Sequence, residues 1–215
     1  MPRRLSTEET ETPHGPARAD LHPADGAKAA LVLGHGAGGG VESGDLVAAK
    51  DAALSQGVSV ALVEQPYRVA GRRSPAPPRQ LDAAWTAVVE HLRDGELSGL
   101  PLIVGGRSLG ARVACRTAAG TGAVAVLCLA FPLQPPPRKG GKVSPSRLPE
   151  LEEVEVPMLI VQGERDRFGI PPAARARTVI QVPGDHGLKK DLGAVADAVR
   201  AWLPGVVAEA AAATT

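Results

Sequence analysis

Aromatic residues are nearly missing from this chain. Tyr67, Trp85, Phe131, Phe168 and Trp202 are the only ones in 215 residues, so any core must be filled by Ala, Val, Leu and Ile. Cysteine is scarcer still: Cys115 and Cys128 give no disulfide framework and read as small core residues, with a reducing cytoplasm as the expected setting. A bias of charge is lacking too. With 24 Lys and Arg against 23 Asp and Glu, the net charge of +1 gives no general reason to expect nucleic acid or a membrane as partner. No apolar run reaches 18 residues, and the opening MPRRLSTEETETPHG lacks a continuous apolar stretch. Neither a transmembrane helix nor a secretory leader is expected.

What the chain does contain is an ordinary globular balance, 44% hydrophobic and 22% charged, at a length that one domain accommodates. Short apolar runs alternate with helical periodicity, the pattern of a mostly parallel sheet covered by helices on both faces. The expected division is a flexible N-terminus over 1–11, a single α/β domain over 12–205 and an Ala-rich tail over 206–215. Residues 12–24 suggest a short antiparallel pair. Strands are expected at Ala29–Leu33, Val58–Val63, 100–105, Ala123–Ala130, Pro157–Gln162 and Thr178–Val182. Helices are expected at Asp45–Gln56, Arg79–Asp94, Leu109–Ala119 and Leu192–Leu203, the last stopped by Pro204-Gly205. The Pro-rich connection after Ala130 is too short for a lid domain, which predicts an open pocket.

Between an apolar run and a helical stretch lies Gly106-Arg107-Ser108-Leu109-Gly110, a Gly-x-Ser-x-Gly element. A sharp turn from strand to helix exposes the central hydroxyl, and the flanking glycines avoid collisions that a Cβ would cause. A serine hydroxyl is a poor nucleophile near neutral pH unless a base takes its proton, and that base needs an orienting acid. Of five histidines, His186 alone sits in a tight loop just after the last expected strand, in Pro183-Gly184-Asp185-His186-Gly187. Asp166 lies between Ser108 and His186 in chain order, just past the preceding strand; Glu164, Asp185 and Asp191 read as surface or helix-cap acids. Loops at the carboxyl ends of parallel strands converge on one edge of a sheet, so these three residues can meet there. A tetrahedral intermediate also needs two preset N–H donors. Leu109 offers one, and the glycine loop Gly34–Gly40 offers the other, from Ala37 first and Gly38 second.

These residues carry a family resemblance. With Gly34-His35-Gly36-Ala37-Gly38-Gly39, Gln65-Pro66-Tyr67-Arg68, Gly105-Gly106-Arg107-Ser108-Leu109-Gly110, Phe131-Pro132-Leu133, Gln162-Gly163-Glu164-Arg165-Asp166 and Asp185-His186, the chain from about residue 10 to 203 resembles the α/β-hydrolase superfamily. In particular it resembles small lidless dienelactone-hydrolase-like members, including the group related to the third subunit of the NSL chromatin complex. The resemblance implies a single-domain α/β-hydrolase fold and a serine hydrolase acting on a small carboxylic ester or thioester through an acyl-enzyme. In that reading Ser108 is nucleophile, His186 base and Asp166 its orienting acid. Ser108 stands where true dienelactone hydrolases carry Cys, so lactone cleavage is not implied. No metal or organic cofactor is expected. A different class of reading is a catalytically weak scaffold that binds a partner or small ligand at the same edge.

Two further features bear on the substrate. Tyr67, Phe131 and Phe168 each follow an expected strand at the reactive edge and are candidates to line the pocket. Arg107 and His35 border it and join that set, with packing of the glycine loop the stronger expectation for His35. Segments 65–81 and 131–149 contain no acid but carry Arg68, Arg72, Arg73 and Arg79, then Arg138, Lys139, Lys142 and Arg147. Such a rim would favour an anionic ester, although an Arg-rich composition falling in solvated loops accounts for it as well. The expected partners are therefore a small-molecule ester and no nucleic acid or membrane, with the protein a monomer or homodimer.

Overall fold

The computed structural model describes residues 6–137, 141 and 143–213. Eight strands form one sheet: β1 (Ser6–Thr10), β2 (Ala17–His22), β3 (Ala29–Gly34), β4 (Val58–Glu64), β5 (Leu102–Arg107), β6 (Ala125–Leu129), β7 (Met158–Gly163) and β8 (Arg177–Val182). Their order is β1-β2-β4-β3-β5-β6-β7-β8. From β4 onward the pairing is parallel, while β1 and β2 add an antiparallel edge. The helices are α1 (Gly44–Ser55), α2 (Pro66–Val69), α3 (Pro78–Asp94), α4 (Leu109–Thr121), α5 (Leu148–Glu152) and α6 (Leu192–Ala213).

Strand alternation decides what each face buries. Ala30 and Val32 of β3, Val104 of β5, Val126 and Cys128 of β6 and Ile160 of β7 face one layer, packed on Trp85 and Val88 of α3 and Val113 and Ala114 of α4. Their neighbours Leu31, Leu33, Ile103, Leu127, Leu129, Leu159 and Val161 face the other, against Leu46 and Ala49 of α1 and Val195, Val199 and Leu203 of α6. Both faces are covered, so the inner strands are apolar throughout. Cys115 and Cys128 are buried free thiols with their Sγ atoms 3.5 Å apart, as expected of core residues.

Two boundaries differ from expectation. The N-terminal flexible stretch expected over 1–11 includes a strand, because Ser6–Thr10 pairs with Ala17–Leu21. The last helix runs through Pro204 to Ala213 instead of stopping at Leu203. Proline removes one N–H donor, but Leu203, Val206 and Ala210 remain buried on one side, and that packing carries the helix onward. No helix among the described residues is long and apolar enough to cross a membrane. Among the described residues, the connection after β6 contains one short helix, α5, and no lid domain.

Candidate active site

β5 ends at Arg107 and α4 begins at Leu109, which leaves Ser108 alone to make the turn. Its backbone takes φ 51° and ψ −99°, a conformation that L residues avoid and that surrounding contacts must hold. Those contacts depend on missing side chains. A Cβ at Gly106 would lie 2.4 Å from the Gly34 carbonyl oxygen, and one at Gly110 would lie 2.2 Å from it. The Ser108 N–H donates to the Leu129 carbonyl (2.9 Å), and the Gly110 N–H donates to the His35 carbonyl (3.1 Å). The turn is thereby fixed to β6 on one side and to the glycine loop on the other.

Ser108 Oγ lies 3.0 Å from His186 Nε2, and His186 Nδ1 lies 2.8 Å from Asp166 Oδ2. Because the carboxylate can only accept, Nδ1 carries the proton and Nε2 is free to accept from the serine. Asp166 is buried and receives two more donors: the Phe168 N–H at Oδ1 (2.9 Å) and Gln162 Nε2 at Oδ2 (2.7 Å). Gln162 Nε2 also reaches the Phe131 and Gly169 carbonyls, each at 3.0 Å. Its role as a brace was not visible in sequence beyond its place at the end of a strand. A Cβ at Gly163 would meet the Asp185 carbonyl at 2.3 Å, so glycine there lets the histidine loop close onto the end of β7. The competing acids have other duties. Asp185 Oδ1 accepts from the Gly187 N–H, Asp191 Oδ1 accepts from the Ala194 N–H at the start of α6, and Glu164 is exposed.

The two expected N–H donors are available. Among the described residues, neither the Ala37 nor the Leu109 N–H makes a backbone hydrogen bond. Leu109 opens α4, where the helix dipole adds to the field of its N–H. Ala37 is held through its carbonyl, which accepts the Tyr67 hydroxyl at 3.1 Å. Gly38 is exposed and lies beside it. Burial pushes the Tyr67 hydroxyl up to about 12, so it stays protonated and able to donate.

Several residues expected to line the pocket do something else. Phe131 is fully buried in the core, because the chain turns inward after Ala130, which sits at φ 51°. Tyr67 is also buried and braces the glycine loop. His35 is 2% exposed, buried where it leads into the glycine loop. Its Nδ1 donates to the Gly36 carbonyl (2.8 Å), and its Nε2 accepts the Gln65 N–H (3.1 Å). Burial lowers its pKa, which favours this neutral form. Arg107 is committed to the Asp45 carboxylate (3.3 Å) and the His186 carbonyl (2.9 Å), which leaves it unsuited to holding substrate. Phe168 does border the site, its ring edge-on to the His186 ring with centroids 4.4 Å apart.

Of the basic segments, Arg68, Arg72, Arg73, Arg79 and Arg147 are described, while Arg138, Lys139 and Lys142 lie outside the described residues. Arg147 Nη1 donates to the Pro132 carbonyl (2.9 Å), and burial followed by the nearby Arg112 lowers its pKa. Arg68 Nε is buried without a partner. No group of three or more His, Cys, Asp or Glu side chains among the described residues is arranged to hold a metal ion.

Residues 27–191 match the family described as Alpha/beta hydrolase domain. A search of curated proteins gave no significant match. Several solved structures share the fold at low identity. A lidless α/β serine hydrolase from Xanthomonas campestris is 20% identical with a TM-score of 0.73, over 95% of this chain and 97% of that one. Est1E from Butyrivibrio proteoclasticus is 16% identical with a TM-score of 0.76, over 94% and 99%. A dienelactone hydrolase from Anabaena variabilis is 15% identical with a TM-score of 0.75, over 95% and 99%.

Proposed function

The chain belongs to the alpha/beta hydrolase domain family, and from that premise we propose that it is a serine hydrolase of small carboxylic esters or thioesters. The observation that carries this reading is the continuous hydrogen-bonded series Ser108–His186–Asp166, with Ser108 on a strained turn beside two unengaged N–H groups. Ser108 Oγ attacks the carbonyl carbon while His186 Nε2 takes the hydroxyl proton. The N–H groups of Leu109 and Ala37 hold the oxyanion, and losing one such donor typically costs about 2.7–4 kcal/mol in the chemical step. Collapse expels the alcohol or thiol, which receives the proton from His186, and leaves an acyl-Ser108. Water, activated by His186, then attacks the acyl carbon, releases the acid and restores the serine. Asp166 keeps the imidazole in the required tautomer throughout.

Phe168 beside His186 supports an apolar wall for the acyl or alcohol group, and the acid-free segment 65–81 with Arg68 favours esters that carry a negative charge. The test is labelling by a fluorophosphonate probe together with turnover of p-nitrophenyl esters of increasing chain length. The expected result is labelling and turnover that are both lost in a folded Ser108→Ala variant. A folded parent protein that neither labels nor hydrolyses any ester would instead favour a binding scaffold.

A further inference from the structure

Arg107 follows none of the roles the hydrolase reading assigns, yet it touches three separate parts of the site. It leaves the end of β5 and passes beneath the glycine loop, so close that a Cβ at Gly36 would lie 2.8 Å from Nη1 and 3.0 Å from Cδ. Its Nε reaches Asp45 Oδ2 (3.3 Å) in the first turn of α1, and its Nη2 donates to the His186 carbonyl (2.9 Å). Asp45 is 3% exposed, and its other oxygen accepts the Leu46 N–H at 3.0 Å. A buried carboxylate needs both a counter-charge and hydrogen-bond donors, and Arg107 with the start of α1 supplies them. The planar guanidinium can serve the carboxylate and the carbonyl together because its N–H groups diverge in a fixed fork.

We propose that the Asp45–Arg107 pair is a positioning device for His186: Asp45 aims the guanidinium, and the guanidinium pins the backbone of the base relative to Ser108. The side chain of His186 is already held by Asp166 and Phe168, but neither fixes its main chain. The rest of the loop is anchored by the Arg165 N–H on the Gly184 carbonyl (2.9 Å), by turn bonds to Asp185 and by the buried Leu188, none of which touches the backbone of His186 itself. Arg107 sits directly before the nucleophile in sequence, so the same residue that ends β5 also registers the base against it. This inference rests on the serine hydrolase reading for its catalytic consequence, while the anchoring itself does not.

The experiment compares the parent protein with Arg107→Lys and with the Asp45→Asn/Arg107→Met double variant. Lysine keeps a cation beside Asp45, but its compact ammonium cannot span both partners. The double variant removes both charges at once, so neither is stranded in the interior. Expected in both is a fall in kcat of about 10- to 100-fold on p-nitrophenyl butyrate with KM changed by less than about threefold. Hydrogen–deuterium exchange of amides 183–190 should accelerate by at least about tenfold while the peptide covering α3 is unaltered. Unchanged kcat, a raised KM at constant kcat, or unaltered exchange in 183–190 would each overturn the proposal. If the parent protein itself hydrolyses nothing, the hydrolase reading fails and the exchange measurement alone decides whether Arg107 anchors the loop.

Discussion

The two ends of the sheet differ in a way that cavity size alone would misrepresent. At the amino-terminal end, a groove of about 860 Å³ is lined by His22, Asp25, Ser59, Glu96 and Ser98 among others. One of its polar groups serves the local backbone: Ser59 Oγ accepts the Ala24 N–H (3.0 Å). At the carboxyl end no comparable hollow is needed. There Ser108, His186 and Asp166 are hydrogen-bonded to one another in the order that moves a proton, and Asp166 is held further by Gln162 and the Phe168 N–H. The candidate reactive groups therefore meet where the strand-end loops converge and not in this groove.

Asp166→Asn tests that contrast most severely. It preserves shape but reverses the tautomer preference of His186, and kcat should fall about 10³- to 10⁴-fold with little change in the melting temperature. Steady-state kinetics beside thermal denaturation would show the split. Gln162→Ala should be milder: it strips one donor from Asp166 and leaves the Phe131 and Gly169 carbonyls unsatisfied, for about 1–3 kcal/mol of stability. Chemical denaturation measures this, and an accompanying loss of kcat would tie the brace to the site.

A third effect should appear only in acid. Burial lowers the pKa of His35 below its ordinary 6.5, so the folded state favours the neutral ring while the unfolded chain takes up a proton first. Stability supplied by His35 is thus complete above about 6.5 and lost as the pH falls toward the folded value. Protonation would also point an N–H at the Gln65 N–H. Melting curves across pH 5–8 should decline more steeply for the parent than for His35→Gln, which has no ring to protonate. The smallest effect belongs to the other end of the sheet. Asp25→Asn with Ser98→Ala should leave kcat/KM within about twofold, and a large loss would break the contrast between the two ends.

Much of the site was legible because the chemistry is written in residue order. Only one serine lay in a glycine-flanked strand-to-helix turn, only one histidine followed a terminal strand, and Asp166 stood between them. The strand alternation that fills the two layers was readable for the same reason, since a period of two leaves each face its own apolar set. Other assignments failed where position along the chain did not reveal direction. Tyr67 and Phe131 do follow strands, but one turns to brace Ala37 and the other dives into the core. Pro204 did not end α6, because burial on the far side outweighed the lost hydrogen bond.

By itself, the sequence determined the layer architecture, which serine, histidine and aspartate would meet at one edge, and the need for glycine around them. These depend on periodicity, on side-chain chemistry and on the backbone freedom of glycine, all local properties. Only the tertiary structure decided that Gln162 braces Asp166, that His35 is a buried strut and that Arg107 joins Asp45 to the His186 carbonyl. Residues 45, 107 and 186 lie on three distant segments of chain, and their shared contact exists only once parallel strands have brought those segments to one edge.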